Sequence, residues 1–285
     1  MIIDGKKIAE DIKIELREKI ASLGIKPKLG IFTIDPDPAI TQFVGLKKRF
    51  GEAIGVEVIV IKMEDGVAQE DAENTLKDMV EKYDGVVVQL PLPEHIDAQK
   101  LLNLVPKEKD VDVLSDVSTD DLETPQGQSL RKVFSPVAGA VREIFEVYGI
   151  PYVDQKIAIV GAGQLVGMPV YYWLVSEGVV PALFDIESKA DFLERSREFD
   201  ILISGVGIPG MITKDMVRDG AVLIDAGTAE SAGKIVGDID PACGEVASYF
   251  STVPGGVGPI TVAILFRNLV ELSLNPPDKG DTGGL

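Results

Sequence analysis

The chain is short of the residues that build disulfides and metal sites. Among its 285 residues, Cys243 is the one cysteine and His95 the one histidine. A single cysteine excludes an internal disulfide, and so few ligands exclude a Cys/His metal cluster; no metal is expected. His95 sits at a helix start after two prolines and is assigned no chemistry. Positive charge is scarce as well: 28 Lys+Arg face 46 Asp+Glu, for a net charge of -18. Such a field repels polyanions, which argues against nucleic acid and anionic membrane surfaces as partners. An anionic cofactor must then be held by local donors such as backbone N–H groups. No apolar run approaches the ~20 residues of a membrane helix. The start MIIDGKKIAEDI lacks the apolar stretch of a signal peptide. A soluble cytoplasmic protein is expected. Core material is plentiful, with 45% hydrophobic residues, enough for one large domain or two small ones.

Hydrophobic periodicity divides the chain into two α/β series. The first predicts helices over 6–23, 39–54, 68–82 and 97–104, with strands over 28–34, 56–62 and 85–93. This alternation implies a parallel sheet covered on both faces. Residues 113–135 are polar and weakly periodic, and read as an interdomain stretch. A helix over 137–149 opens the second series, with strands over 156–160, 180–184, 200–204 and 221–225. Helices over roughly 166–177, 189–197 and 213–218 lie between them. A last amphipathic helix covers 260–273, and the tail NPPDKGDTGGL has no apolar anchor, so disorder is expected. No internal repeat is evident.

The stretch IAIVGAGQLVGMP (157–169) runs from a strand through Gly161, Gly163 and Gly167 into a helix. That arrangement turns backbone N–H groups and a positive helix end toward a pyrophosphate. The spacing G-x-G-x-x-x-G is one residue longer than the usual dinucleotide fingerprint, and a plain tight turn would use the same glycines. Asp185, at the end of the next strand, lies 24 residues after Gly161, near the ~20-residue spacing at which an acidic residue grips the ribose hydroxyls.

Four stretches in order, VQLPLPEHI (88–96), KDVD (109–112), the VGAGQLVGMP turn and VPGGVGPITVA (253–263), resemble the bifunctional methylenetetrahydrofolate dehydrogenase/cyclohydrolase family. The resemblance runs from the first helix to about Leu274. It implies a two-domain α/β fold with a cleft between the domains. A folate-binding catalytic domain would occupy 1–135, completed by the C-terminal helix 260–275. A Rossmann-like nicotinamide-cofactor domain would occupy 136–259, with a disordered tail at 276–285.

The family's Y-x-x-x-K motif reads Phe43-Val44-Gly45-Leu46-Lys47 here. Positions 43 and 47 share one helix face; the lysine is kept and the tyrosine is lost. By resemblance Lys47 works with Gln89, and Asp112 grips the pterin. The residue types suit that chemistry. A carboxylate can accept the pterin's amine and ring N–H in a bidentate pair. An unprotonated lysine can help water attack a methenyl carbon, while Gln89 orients it without adding charge. Taken alone, Lys47 would be a solvated surface lysine beside Lys48 and Arg49, Phe43 would be core, Gln89 would need partners in any apolar strand, and Asp112 could cap a helix or join a turn.

The resemblance implies substrate contacts at Phe43, Asp112, Pro254, Gly255, Gly256 and Pro259. Glycines at 255, 256 and 258 would take φ > 0 and let backbone approach a ligand. It implies cofactor contacts at Gly161, Ala162, Gly163, Gln164, Gly167, Asp185, Gly205, Val206, Gly227, Gly256 and Thr261. Two further departures stand out. The family's VGRS is Val160-Gly161-Ala162-Gly163 here, and its PCTP is Pro136-Val137-Ala138-Gly139. The first removes an arginine and a serine suited to a 2′-phosphate, so NAD is expected in preference to NADP. The expected function is oxidation of 5,10-methylenetetrahydrofolate to the methenyl form, followed by hydrolysis to 10-formyltetrahydrofolate. A monofunctional dehydrogenase or a non-catalytic folate- or nucleotide-binding protein are the alternatives. The partners are tetrahydrofolate one-carbon derivatives, and a homodimer is expected from the family.

Overall fold

The structure is a computed structural model that describes residues 1–36, 38–123, 133–185, 188–231 and 234–274; the tail expected to be disordered lies outside them. Two compact units emerge. One comprises Met1–Ile12 with Thr119–Ile264, the other Lys13–Ser118 with Leu265–Leu285. The first residues therefore group with the later part of the chain and not with the first α/β series. The reason is a strand too short to carry a period: β1 (Ile2–Ile3) pairs in parallel with Phe250 and Ser251. The helix α1 (Gly5–Leu23) follows it.

In the Lys13–Ser118 unit, β2 (Lys28–Ile34) is flanked by β3 (Glu57–Met63) and β4 (Gly85–Val88), all parallel. Six of the seven β2 residues are buried, the continuous apolar run of a strand covered on both faces. Helix α2 (Pro38–Ile54) buries Val44, Phe50 and Ile54. Gly51 lets it lie close to the sheet, because an added Cβ would stand 2.4 Å from Val58 Cγ2 and 2.7 Å from the Phe266 ring. Helix α3 (Gln69–Lys82) buries Ala72, Leu76 and Met79, the spacing of one helical stripe. The apolar run expected as a strand to 93 leaves the sheet at Val88. Beyond it the Leu90–Pro91 peptide is cis, and prolines have no N–H for a ladder. Helix α4 (Ala98–Leu102) is N-capped by Asp97, whose carboxylate accepts from Lys100 N. The stretch read as interdomain begins with an ordered turn and a helix, α5 (Asp116–Glu123).

The other unit follows α6 (Pro136–Tyr148) with β5 (Ile157–Val160), α7 (Gly167–Ser176), β6 (Ala182–Phe184), α8 (Lys189–Arg195), β7 (Ile201–Ser204) and β8 (Val222–Asp225). The helix expected over 213–218 is a single 3-10 turn, Lys214–Met216. A hairpin, β9 (Ala229–Ser231) with β10 (Lys234–Val236), and the strand β11 (Tyr249–Ser251) complete the strands. The six-stranded parallel sheet has the order β1-β11-β8-β7-β5-β6. Its core is built from Val160, Phe184, Phe192, Leu202, Leu223 and Phe250. Cys243 is part of that core, and burial pushes its thiol up to about 11, so it packs as a small apolar residue.

The last helix, α9 (Val257–Leu274), begins three residues before the expected 260. It is long and apolar enough to cross a membrane by length and composition, with a hydropathy of 1.5, and half of it is buried inside the protein. Its later turns serve as core: Phe266 stacks on Phe50 at 5.2 Å, and Leu269 and Val270 are fully buried.

Candidate active site

Two sets of predicted residues come together, one in each unit. In the three-stranded unit, α2 carries Lys47 on a half-buried flank, one turn after half-buried Phe43. Lys47 Nζ donates to Gln89 Oε1 at 3.1 Å and lies 3.7 Å from Asp112 Oδ2. The Lys47 and Asp112 side chains are only 14% and 18% exposed, whereas Lys48 and Arg49 are exposed. Gln89 is fixed at the end of β4: its N–H donates to Phe32 O at 2.8 Å and its Nε2 to Leu90 O at 2.9 Å. That leaves its carbonyl oxygen for the lysine.

Asp112 is placed by a residue whose role no sequence pattern disclosed. Asp110, buried and paired with Val86 in an isolated bridge, turns its carboxylate back on the chain. It accepts from Val113 N (2.8 Å), Leu114 N (3.0 Å), Ser115 N (2.9 Å) and Ser115 Oγ (2.8 Å). The turn holds Val113 at φ 59, a conformation a β-branched residue adopts only under such constraint. Asn268 Nδ2 donates to Val111 O at 2.9 Å from α9. Burial raises the Asp112 carboxyl above the usual range; the charge on Lys47 pulls it back and that on Asp110 pushes it further up. An amine, an amide oxygen and a largely dehydrated carboxylate thus share one site. His95 does not join them; its Nε2 pairs with Val67 O at 3.2 Å.

In the six-stranded unit, β5 has β6 on one side and β7 on the other. Ligands of such sheets bind beyond the carboxyl ends of the strands at this switch. Gly161, Ala162, Gly163 and Gln164 form the turn after β5, and Gly167 starts α7. The three glycines differ in what they do. Gly161 takes φ +102, and an added Cβ would stand 2.8 Å from Gly205 O. A Cβ on Gly167 would stand 1.7 Å from Gly161 O, so this glycine sets how closely helix and turn pack. Gly163 has open space where its side chain would be, which leaves its backbone open to a phosphate. A pocket of about 80 Å³ lies beside the turn, lined by Val160, Gly161, Asp185, Phe192, Val206, Ile208 and Met211. At its mouth Asp185 Oδ1 accepts from Ser188 N at 2.8 Å and Ser188 Oγ at 2.7 Å. These features fit a dinucleotide.

Gly167→Ala is expected to destabilise the protein by at least the ~1–3 kcal/mol of an overpacked core and to weaken dinucleotide binding. Urea unfolding and a cofactor titration check it, and an unchanged midpoint would remove Gly167 from the packing role.

Pro254, Gly255, Gly256, Pro259 and Thr261 also belong to the six-stranded unit. Of the three loop glycines only Gly255 takes positive φ, at +109. Gly256 is required by packing, since its Cβ would stand 2.7 Å from Thr252 O and its own carbonyl fills the space beside Gly5. Gly258 lies inside α9 with open space around it; a left-handed conformation at all three positions was expected, and helical backbone overrides it at this one. Thr261 Oγ1 donates to Val257 O at 3.1 Å within the helix. Among the described residues no three or more His, Cys, Asp or Glu side chains converge as a metal site.

Comparison with known proteins bears on both units. The family model described as tetrahydrofolate dehydrogenase/cyclohydrolase, catalytic domain, matches residues 3–112. The one described as tetrahydrofolate dehydrogenase/cyclohydrolase, NAD(P)-binding domain, matches 135–275. The bifunctional protein FolD of Nautilia profundicola is 36% identical over 281 residues, covering 96% of this chain and 97% of its own. The solved bifunctional enzyme FolD from Campylobacter jejuni has a TM-score of 0.87 at 30% identity, over 96% of this chain and 99% of its own. The Trypanosoma brucei enzyme, solved with NADP cofactor and inhibitor, has a TM-score of 0.90 at 29% identity, over 96% and 97%.

Proposed function

This chain belongs to the tetrahydrofolate dehydrogenase/cyclohydrolase family, and from that premise we propose which of its residues do the work. The reaction is oxidation of 5,10-methylenetetrahydrofolate to the 5,10-methenyl form with NAD(P), then hydrolysis to 10-formyltetrahydrofolate. The roles rest on one observation: Lys47 Nζ stands 3.1 Å from Gln89 Oε1 and 3.7 Å from Asp112 Oδ2 in a half-buried site.

The bound dinucleotide supplies the hydride acceptor. Asp112 accepts the pterin's amine and ring N–H and so positions the one-carbon bridge. Phe43, one turn before Lys47, offers a ring face for stacking. In the hydrolytic half, the Lys47 amine takes a proton from the water that attacks the methenyl carbon. The new C–O bond forms, the bond from that carbon to one ring nitrogen breaks, and that nitrogen receives the proton from Lys47; the water's second proton leaves to solvent as the formyl C=O forms. Gln89 aims the amine through its carbonyl oxygen without placing a second charge beside the cationic substrate. Phe43 in place of a tyrosine supports a second reading, a dehydrogenase with slow or lost hydrolysis.

An absorbance assay with methylenetetrahydrofolate and each dinucleotide tests both. Methenyl formation followed by decay is expected. Accumulation without decay marks the monofunctional enzyme, and saturable folate binding without turnover marks a binding protein.

The proposal includes NAD in preference to NADP. The turn offers Ala162 and Gly163, which carry no cation or hydroxyl for a 2′-phosphate. Asp185 at the pocket mouth accepts hydrogen bonds from free ribose hydroxyls and repels a phosphate there. A higher kcat/KM with NAD is expected, and better turnover with NADP would overturn the assignment. Asp185→Ser combined with Ala162→Arg should then shift the ratio toward NADP by about tenfold or more, roughly 1.4 kcal/mol. An unmoved ratio would mean that Asp185 does not face the ribose.

A further inference from the structure

Two buried aspartates of the six-stranded unit have no part in the chemistry above. Asp238 and Asp225 are 0% and 1% exposed. Asp238 Oδ2 accepts from Ser204 Oγ at 2.8 Å and Val206 N at 2.7 Å, and its Oδ1 accepts from Ile208 N at 2.9 Å. Asp225 Oδ1 accepts from Gly227 N at 3.0 Å and Asp238 N at 3.2 Å, and its Oδ2 accepts from Ile239 N at 2.9 Å. Each carboxyl also occupies the place of a missing side chain on a glycine within two residues of the other aspartate. A Cβ on Gly227 would stand 2.2 Å from Asp238, and one on Gly237 would stand 2.1 Å from Asp225. The two aspartates therefore cross between the ends of β7, β8 and β10. No cation faces either one in these bonds; six donors, five of them backbone N–H groups, carry the charge. Two burials of a carboxylate are costly, and burial pushes Asp225 up to about 6 despite its donors. Apolar residues would pack this core at lower cost.

What the pair achieves is the shape of one loop. Val206 and Ile208, both pinned by Asp238, line the pocket with Gly161 and Asp185. Gly205, just before them, is the residue whose carbonyl stands against Gly161. We propose that Asp238, itself held by Asp225, is a positioning residue for the dinucleotide: it sets the turn after β7 so that the pocket beside the glycine turn keeps its form. Neither aspartate touches the cofactor. The inference rests on the reading of that pocket as part of the dinucleotide site.

The test uses Asp238→Asn in the full chain. An amide in that place must aim its NH2 at one of three donors, so the Val206 or Ile208 bond is lost in either orientation. Dinucleotide KM is expected to rise at least tenfold, with dehydrogenase kcat at saturating dinucleotide within twofold. Hydrolysis of added methenyltetrahydrofolate, measured without dinucleotide, should keep its rate and its KM. A role in stability alone would lower the unfolding midpoint and leave dinucleotide KM where it was; that result, or an equal loss in both assays, overturns the proposal. If Asp238→Asn does not fold, Ser204→Ala removes one donor to Oδ2 and is expected to raise dinucleotide KM about threefold with hydrolysis unchanged; no rise overturns it. The wild type is measured first, and absence of turnover with either dinucleotide there refutes the functional reading, separately from the positioning role.

Discussion

Lys47→Met should abolish most of the hydrolysis of methenyltetrahydrofolate while dehydrogenation falls less. Methionine keeps an unbranched stem of similar length but removes the amine that Gln89 Oε1 and Asp112 hold. Loss of a positioned acid/base group typically costs ~10²–10⁴ in rate, and at least the lower figure is expected in kcat for hydrolysis. The hydride step needs no proton from this amine, so its loss should reflect only altered positioning. Equal loss in both activities with unchanged folate affinity would contradict a separate hydrolytic role. No change in either would make Lys47 a bystander.

Asp112→Asn should separate binding from stability. The substitution keeps shape but removes the charge and sets an NH2 against the pterin's donors. Breaking one side of a buried charged hydrogen bond typically costs ~2–5 kcal/mol, or roughly thirty- to several-thousand-fold in folate Kd. Calorimetry reads it directly, and unchanged affinity removes Asp112 from the site. The pH dependence has a defined sign. Folding raises the Asp112 carboxyl above its ordinary value, mainly by burial. The folded protein thus holds this proton more tightly than the unfolded chain, and stability falls as pH rises between the ordinary value and the raised one. Folate binding needs the carboxylate and runs the other way: affinity is lost as pH falls through the raised value. The variant is expected to lose both dependences, and Lys47 keeps its bond to Gln89.

How much of this was legible in the sequence follows from the range of each interaction. The strand, glycine turn and helix at 157–176 are local, and buried runs with three glycines disclosed them. The shared helix face of Phe43 and Lys47 was equally local. The meeting of Lys47 with Gln89 is not, since the two are 42 residues apart; only resemblance placed them together. Asp110 stood in the quoted KDVD, yet its four partners are mostly backbone N–H groups, which look alike in every sequence. The same holds for Asp225 and Asp238. The run VVVQLPLP was read too far because its apolar pattern continues through prolines that cannot join a ladder. The two-residue strand β1 offers no periodicity at all.

That small strand has a consequence for how the protein is made. Ile2 and Ile3 pair with Phe250 and Ser251, and the N-terminal amine donates to Ser248 O at 2.5 Å. These residues thus leave the ribosome well before their partners, which lie some 247 residues further along the chain. The other unit waits as well: Phe50 has its stacking partner in Phe266, and Val111 its donor in Asn268. Neither half can close its core during most of synthesis, although nascent domains generally fold in order from the N-terminus. A nascent chain with no more than residues 1–248 outside the ribosome should remain protease-sensitive in both halves; the six-stranded half should gain protection once Tyr249–Ser251 and the start of the final helix emerge, and the other half only once Leu265–Leu274 follow. Early protection of residues 13–118 alone would show that the first half consolidates without it.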